Sequence, residues 1–202
     1  MALDGLVIHA LTEELQKLVG GKIHKIHQPS NHDIVMQVRS QGETFRLLLS
    51  ANPTYPRLHV TRQQFMNPLD APMFCMLLRK HCESGTIESI TQVGAERVVH
   101  IRVQHRDELG DQRSRTIVME LTGRHSNIIL LDHEAGTVLD GIHHVTPAIS
   151  SYRVVMPGCA YTQPPEQHKI NPFTIDREAA ARSLEAALTA QAADEAGSTQ
   201  PL

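Results

Sequence analysis

The sequence predicts an α+β fold of two antiparallel β-sheets with flanking helices. Three observations carry that prediction. Apolar residues recur at helical spacing near positions 4–19 and again over 73–82. Most of the remaining body alternates with a period of two in eight short runs, and Gly, Pro, Asn and Asp separate those runs at hairpin spacing. Each helical segment stands at the head of one series of runs, so the chain reads as helix, sheet, helix, sheet.

The first helix spans Asp4 to Val19, with Leu3, Val7, Leu11, Leu15 and Leu18 on the apolar stripe and Glu13, Glu14 and Lys17 away from it; Gly20-Gly21 end it. Three strands follow, Ile23 to Ile26, Ile34 to Val38 and Phe45 to Leu49, divided by Gln28-Pro29-Ser30-Asn31 and Ser40-Gln41-Gly42. A loop carrying Pro53, Pro56, Pro68 and Pro72 leads to a short helix over Met73 to Cys82, begun by Asp70 and Pro72, with Met73, Met76, Leu77 and Lys80 at helical spacing. After Gly85 come Ile87 to Val93, Val98 to Gln104, Thr116 to Leu121, Asn127 to Leu131 and Val138 to Ile142, the pattern of hairpins and a meander. Pro147 to Lys169 reads as an irregular connection or cap over the sheets, and Ile175 to about Ala193 as a last helix rich in Ala and Glu.

Composition excludes several classes. With 41% hydrophobic and 20% charged residues in 202, the chain is neither disordered nor collagenous. Only 3% of residues are aromatic and Trp is absent, which argues against modules built on stacking platforms or aromatic cages. The net charge is -3, but residues 170–202 hold five acids against two bases, leaving 17 of each sign in residues 1–169. The body therefore carries no general basic field, and an RNA partner must be met by a local patch in which some of the 13 His gain charge beside phosphate. The three cysteines form no C-x-x-C pair and are odd in number, which favours a reducing cytosol over a disulfide framework. Met1 to Gly5 lack the basic and apolar regions of a secretory signal, and no run approaches 18 apolar residues, so no membrane partner is expected.

Several tempting motifs have plainer readings. His105-Arg106-Asp107 copies the kinase catalytic tripeptide, but Gln112 stands where the metal-binding Asn belongs, and a charged hairpin turn explains it better. His24 and His27 fall on opposite faces of a strand, and His81-Cys82 and His143-His144 lack completing ligands, so no metal is expected. Cys75 and Cys82 fill the core as small hydrophobes. Ser126 follows His125 on the way into a strand, so the two point apart and make no nucleophilic pair; no cofactor fingerprint is present.

Two segments resist the plain account. Gly94-Ala95-Glu96-Arg97 is a turn in which an Arg held beside an acid presents its planar fork to phosphate or a base; against this stands a surface ion pair worth at most about 1 kcal/mol. In the second, Gly123 delivers Arg124, His125, Ser126 and Asn127 in succession before a buried strand, a density of donors beyond what solubility needs. Against this, Ser126 and Asn127 could satisfy the backbone of their own turn.

Long motifs in order make the chain resemble the amino-terminal domain of the NFACT family over about residues 1–175: Asp4-Gly5, Gly21-Lys22-Ile23 through Gln28-Pro29, Leu49 to Pro53 with Arg57-Leu58-His59, Pro72 to His81, and Glu120-Leu121 with Gly123 to Leu130. The resemblance implies a fold similar to the amino-terminal domain of formamidopyrimidine-DNA glycosylases, with residues 176–202 starting a helical connection to further domains. It does not imply glycosylase chemistry, because Ala2-Leu3 follow Met1 where those enzymes need an amino-terminal Pro.

It further implies a cytoplasmic, non-enzymatic factor that binds tRNA, alanyl-tRNA above all, on large ribosomal subunits obstructed by peptidyl-tRNA and helps add carboxy-terminal alanine tails. The family's acid-Arg pair, usually Asp-Arg, falls on Glu96-Arg97; the extra methylene moves the acceptor by about 1.5 Å. On this reading Glu96, Arg97, Arg124 and His125 meet tRNA, Arg57, Arg79 and Lys80 offer RNA-backbone contacts, and no cofactor is required. The alternatives are an adhesin-like protein binding fibronectin and a catalytically dead glycosylase relative binding nucleic acid.

Overall fold

The computed structural model describes residues 4–165. The first helix, α1 (Gly5–Glu14), starts where the Asp4 side chain accepts the Val7 N–H at 2.9 Å, and it tightens into a 3-10 turn over Leu15–Leu18. Its buried face is Ile8, Thr12, Leu15 and Leu18, whereas Val7 of the expected stripe is 43% exposed. Thr12 joins that face at no polar cost because its hydroxyl donates to the Ile8 carbonyl at 2.7 Å.

The strands are β1 (Lys22–His27), β2 (Asp33–Ser40), β3 (Glu43–Ser50), β4 (Arg57–Val60), β5 (Thr86–Gln92), β6 (Val98–Arg106), β7 (Gln112–Glu120), β8 (Asn127–Asp132) and β9 (Val138–Gly141). The second helix, α2 (Met73–Cys82), lies between β4 and β5 in the chain, with Pro72 at its N-cap. Strand β4 is an addition to the sequence reading. It occupies one edge of the sheet, where Pro56 immediately before it removes no ladder bond.

The expected pair of sheets is not what forms. All the strands among the described residues belong to one nine-stranded antiparallel sheet in the order β4-β3-β2-β1-β5-β6-β7-β8-β9, so the two-sheet, glycosylase-like architecture is corrected. The seam is the junction of β1 with β5 at Lys22↔Thr86. Four backbone bonds hold it: Gly20 N–H to Ile87 O (2.7 Å), Ile87 N–H to Gly21 O (2.9 Å), Ile23 N–H to Gly85 O (2.9 Å) and Ser84 N–H to Ile23 O (2.8 Å). The glycines that read as helix and turn punctuation are what bring the two strand series into contact.

One large core packs α1 and α2 against the sheet, with Ile8, Leu18, Phe74, Leu78, Ile23 and Ile101 among its members. On α2 the buried residues are Phe74, Cys75, Leu78 and Cys82, while Met73 and Met76 of the expected spacing are 80% and 59% exposed. A smaller cluster of Val98, Val118, Ile129, Leu131, Val138 and Val155 lies under the segment after β9. Burial on both faces explains why β8 reads as an unbroken apolar run after Asn127. That covering segment, the cap expected from Pro147 onward, is tied down by the Val145↔Val155 and Thr137↔Ala160 bridges. The expected helix from Ile175 and the boundary at 175 lie outside the described residues.

Both helical cysteines are core residues, as expected. Burial pushes the Cys82 thiol up to about 12 and raises that of Cys75. A thiol reagent at pH 8 is therefore expected to modify the half-buried Cys159 in the native chain and all three cysteines only after unfolding; rapid native labelling of Cys82 would contradict the packing. Among the described residues, no helix is long and apolar enough to cross a membrane.

Candidate nucleic-acid interface

The four principal residues expected to meet tRNA converge on one cleft. It encloses about 560 Å³, with Glu96 and Arg97 on one wall, Arg124 and His125 on another, and the segment from His143 to Arg153 opposite.

The first wall is the turn between β5 and β6. Glu96 N–H donates to Val93 O at 2.9 Å, and the Gln92 amide donates both to Glu96 O (2.8 Å) and to Gly5 O (2.9 Å), pinning the turn to the start of α1. A side chain at Gly5 would run into the Ala95 carbonyl, so the approach depends on that glycine. The second wall follows β7. Leu121 N–H donates to Arg97 O at 2.8 Å and joins the walls through the backbone. Gly123, at φ +68°, then turns the chain into a short 3-10 segment, Gly123–His125, that leaves Arg124 and His125 exposed.

The next two residues are structural. Ser126 is buried and its hydroxyl donates to Gly123 O at 2.7 Å, so it holds the turn and cannot act as a nucleophile towards the cleft. Asn127 binds the third wall: its amide donates to His143 O (2.9 Å), and its side-chain oxygen accepts from the N–H groups of His143 (3.0 Å) and Ile128 (2.9 Å). The sequence separates Ser126 and Asn127 from Arg124 and His125 only by order; the structure separates them by role.

Beneath the cleft lies an ion pair with no signature in the local sequence. Glu120 is fully buried at the end of β7, and Arg153 grips its two carboxylate oxygens at 2.8 and 2.5 Å. Tyr161 donates its hydroxyl to the same carboxylate at 2.8 Å, and burial followed by the Glu120 charge pushes that hydroxyl's pKa up, keeping it a donor. Arg153 also donates to Thr162 O at 2.9 Å. The cleft therefore contains Arg97, Arg124 and Arg153, but Arg153 is spent on Glu120, leaving Arg97 and Arg124 for an incoming anion. Thr122 lines the same cleft, and its buried hydroxyl has no hydrogen-bond partner.

The further cations lie elsewhere. Arg57 on β4 stacks over the Tyr55 ring at 5.0 Å and donates to Tyr55 O at 3.1 Å. Arg79 donates to Ile26 O at 2.8 Å and reaches the His27 ring at 3.3 Å; burial and then Arg79 lower the His27 pKa, which suits an accepting Nδ1. Lys80 lines a separate groove with His81, Arg106 and Arg113.

Asp107 closes the β6–β7 turn by accepting from Leu109 and Asp111 N–H groups at 3.0 and 2.9 Å and from Arg113 at 3.2 Å. His144 pairs with Asp140 at 2.6 Å, and His143 turns to His32 instead. Among the described residues, no three His, Cys, Asp or Glu gather as metal ligands.

A family model described as NFACT N-terminal and middle domains matches residues 4–195. The "Rqc2 homolog RqcH" of Bacillus subtilis is 44% identical over 206 residues, covering 100% of this chain and 36% of that protein. The "Ribosome quality control complex subunit NEMF homolog" of Drosophila melanogaster is 30% identical over 127 residues, 62% of this chain and 12% of that protein. The crystal structure of the N-terminal domain of fibronectin-binding protein PavA from Streptococcus pneumoniae superposes with a TM-score of 0.86 at 42% identity, covering 90% of this chain and 68% of that one. This chain thus spans about a third of the length of the bacterial relative it matches.

Proposed function

Because the chain belongs to the NFACT family, we propose that it is the tRNA-binding part of a ribosome quality-control factor. The whole factor would act in the cytoplasm on large ribosomal subunits obstructed by peptidyl-tRNA, holding alanyl-tRNA so that alanine tails extend the stalled chain. The observation that carries the proposal is the meeting of Glu96, Arg97, Arg124 and His125 in one cleft with the guanidinium groups of Arg97 and Arg124 uncommitted to Glu120. Folded RNA is recognised by phosphate contacts and by hydrogen bonds to unstacked bases, which suits a few placed Arg and His donors better than a broad basic field. The work asked of the domain is placement: bringing two tRNAs together is catalysis by proximity and requires no nucleophile here.

Within this reading, Arg97 and Arg124 take phosphate or base edges, Glu96 holds Arg97 in place or accepts from a ribose or base, and His125 donates. Lys80 holds no hydrogen bond or ion pair among the described residues and is proposed as an RNA-backbone contact. Arg57 and Arg79 already donate to the chain itself, which leaves them a smaller share.

Arg97→Ala is expected to weaken tRNA binding by about tenfold or more in a filter assay at fixed salt, the cost of one charge-assisted bond, with the thermal midpoint unchanged. Unchanged affinity would remove Arg97 from the interface. Sedimentation of the full-length factor with large subunits tests the ribosomal half of the proposal. Fibronectin binding, which the name of the PavA relative raises, is tested by the same variant: retention of fibronectin without tRNA would favour that reading.

A further inference from the structure

We infer that His32 is a positioning residue of the cleft, fixing the turn of Arg124 and His125 through His143 and taking up one proton with that pair when a polyanion binds; the second half rests on the nucleic-acid reading above. His32 lies at the end of the loop between β1 and β2, and His143 just beyond β9, strands six places apart in the sheet. Yet Nδ1 of His32 is 2.8 Å from Nε2 of His143, and the rings meet edge to face with centroids 4.9 Å apart.

The order of donors follows from one acceptor. Nδ1 of His143 is 3.1 Å from the Ser126 carbonyl, which can only accept, so that nitrogen carries the hydrogen. Neutral His143 then presents a lone pair at Nε2, and His32 must donate to it from Nδ1. The relay runs from His32 to His143 to Ser126, the residue that closes the turn carrying Arg124 and His125. Both ends are seated independently: His32 N–H donates to Ser30 Oγ at 3.2 Å, Ala51 N–H donates to His32 O at 2.8 Å, and Asn127 clamps the His143 backbone. The ring-to-ring bond is thus free to set the orientation of the His143 ring alone.

The same order admits one extra proton. Placed on Nε2 of His32, it leaves both relay bonds intact and makes the first one charge-assisted. A second proton, on Nε2 of His143, would set two N–H groups against each other and break the pair. The pair is therefore stable when neutral and when singly charged.

Next to His32 in the chain, Asp33 accepts from Ser50 Oγ at 2.5 Å, and the Arg57 guanidinium is 3.4 Å from the same hydroxyl. On the His143 side the ionisable groups are Asp140, paired with His144, and Glu120, paired with Arg153; Glu96, Arg97, Arg124 and His125 complete the cleft. Asp33, Asp140 and Glu120 are already engaged, and apart from Glu96 the remaining charges are cations. Phosphate entering the cleft supplies the anion that draws the proton.

The test uses the 202-residue chain with His32→Ala and His32→Asn, the Asn amide keeping a donor near the Nδ1 position but not titrating. Imidazole nitrogen NMR without RNA is expected to show His143 protonated at Nδ1 in the wild type and in both variants, held by the Ser126 carbonyl, with the Nε2 resonance shifted to that of an unbonded acceptor only in His32→Ala. At pH 8 and fixed salt, tRNA affinity is expected to fall about tenfold in His32→Ala and to stay within about twofold in His32→Asn. Between pH 8 and pH 6 the wild type is expected to gain about tenfold more affinity than His32→Asn, with contributions from other histidines common to both.

Protonation of wild-type His143 at Nε2 alone, or equal affinities for wild type and His32→Ala, would overturn the positioning role. A His32→Asn variant that keeps the full wild-type pH gain would overturn the proton uptake. A wild type with the expected tautomers that binds no tRNA at either pH would overturn the nucleic-acid reading and the proton uptake with it, while the hydrogen-bond order stands.

Discussion

Arg153→Ala is expected to lower the free energy of unfolding by about 3–5 kcal/mol, read as a shift of the urea midpoint at constant slope. The reason is the state of Glu120 once its partner is gone. Its side chain is fully buried and its carboxylate oxygens are satisfied by Arg153 at 2.8 and 2.5 Å and by Tyr161 at 2.8 Å. Removing the guanidinium strands a negative charge on one neutral donor in a site closed to water, and that desolvation cost is what the midpoint reports. The same argument predicts the behaviour of the pair: Glu120→Leu combined with Arg153→Met is expected to regain most of the loss, because both charges leave together. A loss below about 1 kcal/mol in the single variant would instead place Glu120 in the class of screened surface pairs.

The same substitution has a functional consequence beyond its thermodynamic one. Arg153 ties the segment after β9 to the end of β7 and also donates to Thr162 O, so it holds the third wall of the cleft against the first two. At temperatures where Arg153→Ala remains folded, tRNA affinity is expected to fall although Arg97 and Arg124 are unchanged. A cleft assembled from turns needs an anchor beneath them, and a buried, bidentate pair supplies one with a defined geometry.

The chain's periodicities told where elements lie but not which side of each faces inward. Period-two runs located eight of the nine strands, because hairpin turns punctuate them. Strand β4 escaped because Pro53 and Pro56 mark a loop in any local window, and only its edge position makes the proline harmless. In α1 the stripe through Val7 and Leu11 is as regular as the buried one through Ile8 and Leu15; the packing of the helix on the sheet selects between them, and Thr12 enters the core by bonding its own helix. For the cleft, Glu96, Arg97, Arg124 and His125 were legible because donors crowd two turns that need few. Glu120 with Arg153, and His32 with His143, were not, since pairs 33 and 111 residues apart leave no local pattern.

Gly85→Ala is expected to cost about 3 kcal/mol, the upper end for overpacking a close-packed site. A Cβ at Gly85 would lie 2.8 Å from each of Cys82 O, Gln104 O and Val103 Cγ1, and two of those neighbours are backbone that cannot rotate away. Gly21 across the seam is similarly enclosed, 2.8 Å from Leu18 O and Val38 Cγ1. The consequence is cooperative as well as local, because Gly85 O accepts from Ile23 N–H and Gly21 O accepts from Ile87 N–H where β1 meets β5. Forcing that junction apart disturbs bonds that make one sheet of two strand series. Gly85→Ala is therefore expected to broaden the denaturation curve as well as shift it, with amide exchange rising first at Ile23 and Ile87. Gly110→Ala is the matched control: it lies in a turn at φ +84° with nothing within 4 Å of a Cβ, and it carries only the conformational cost of about 1–2 kcal/mol. A Gly85→Ala variant no less stable than that control would mean that the strands can part at the seam without loss, and the single sheet would then be two sheets in energetic terms.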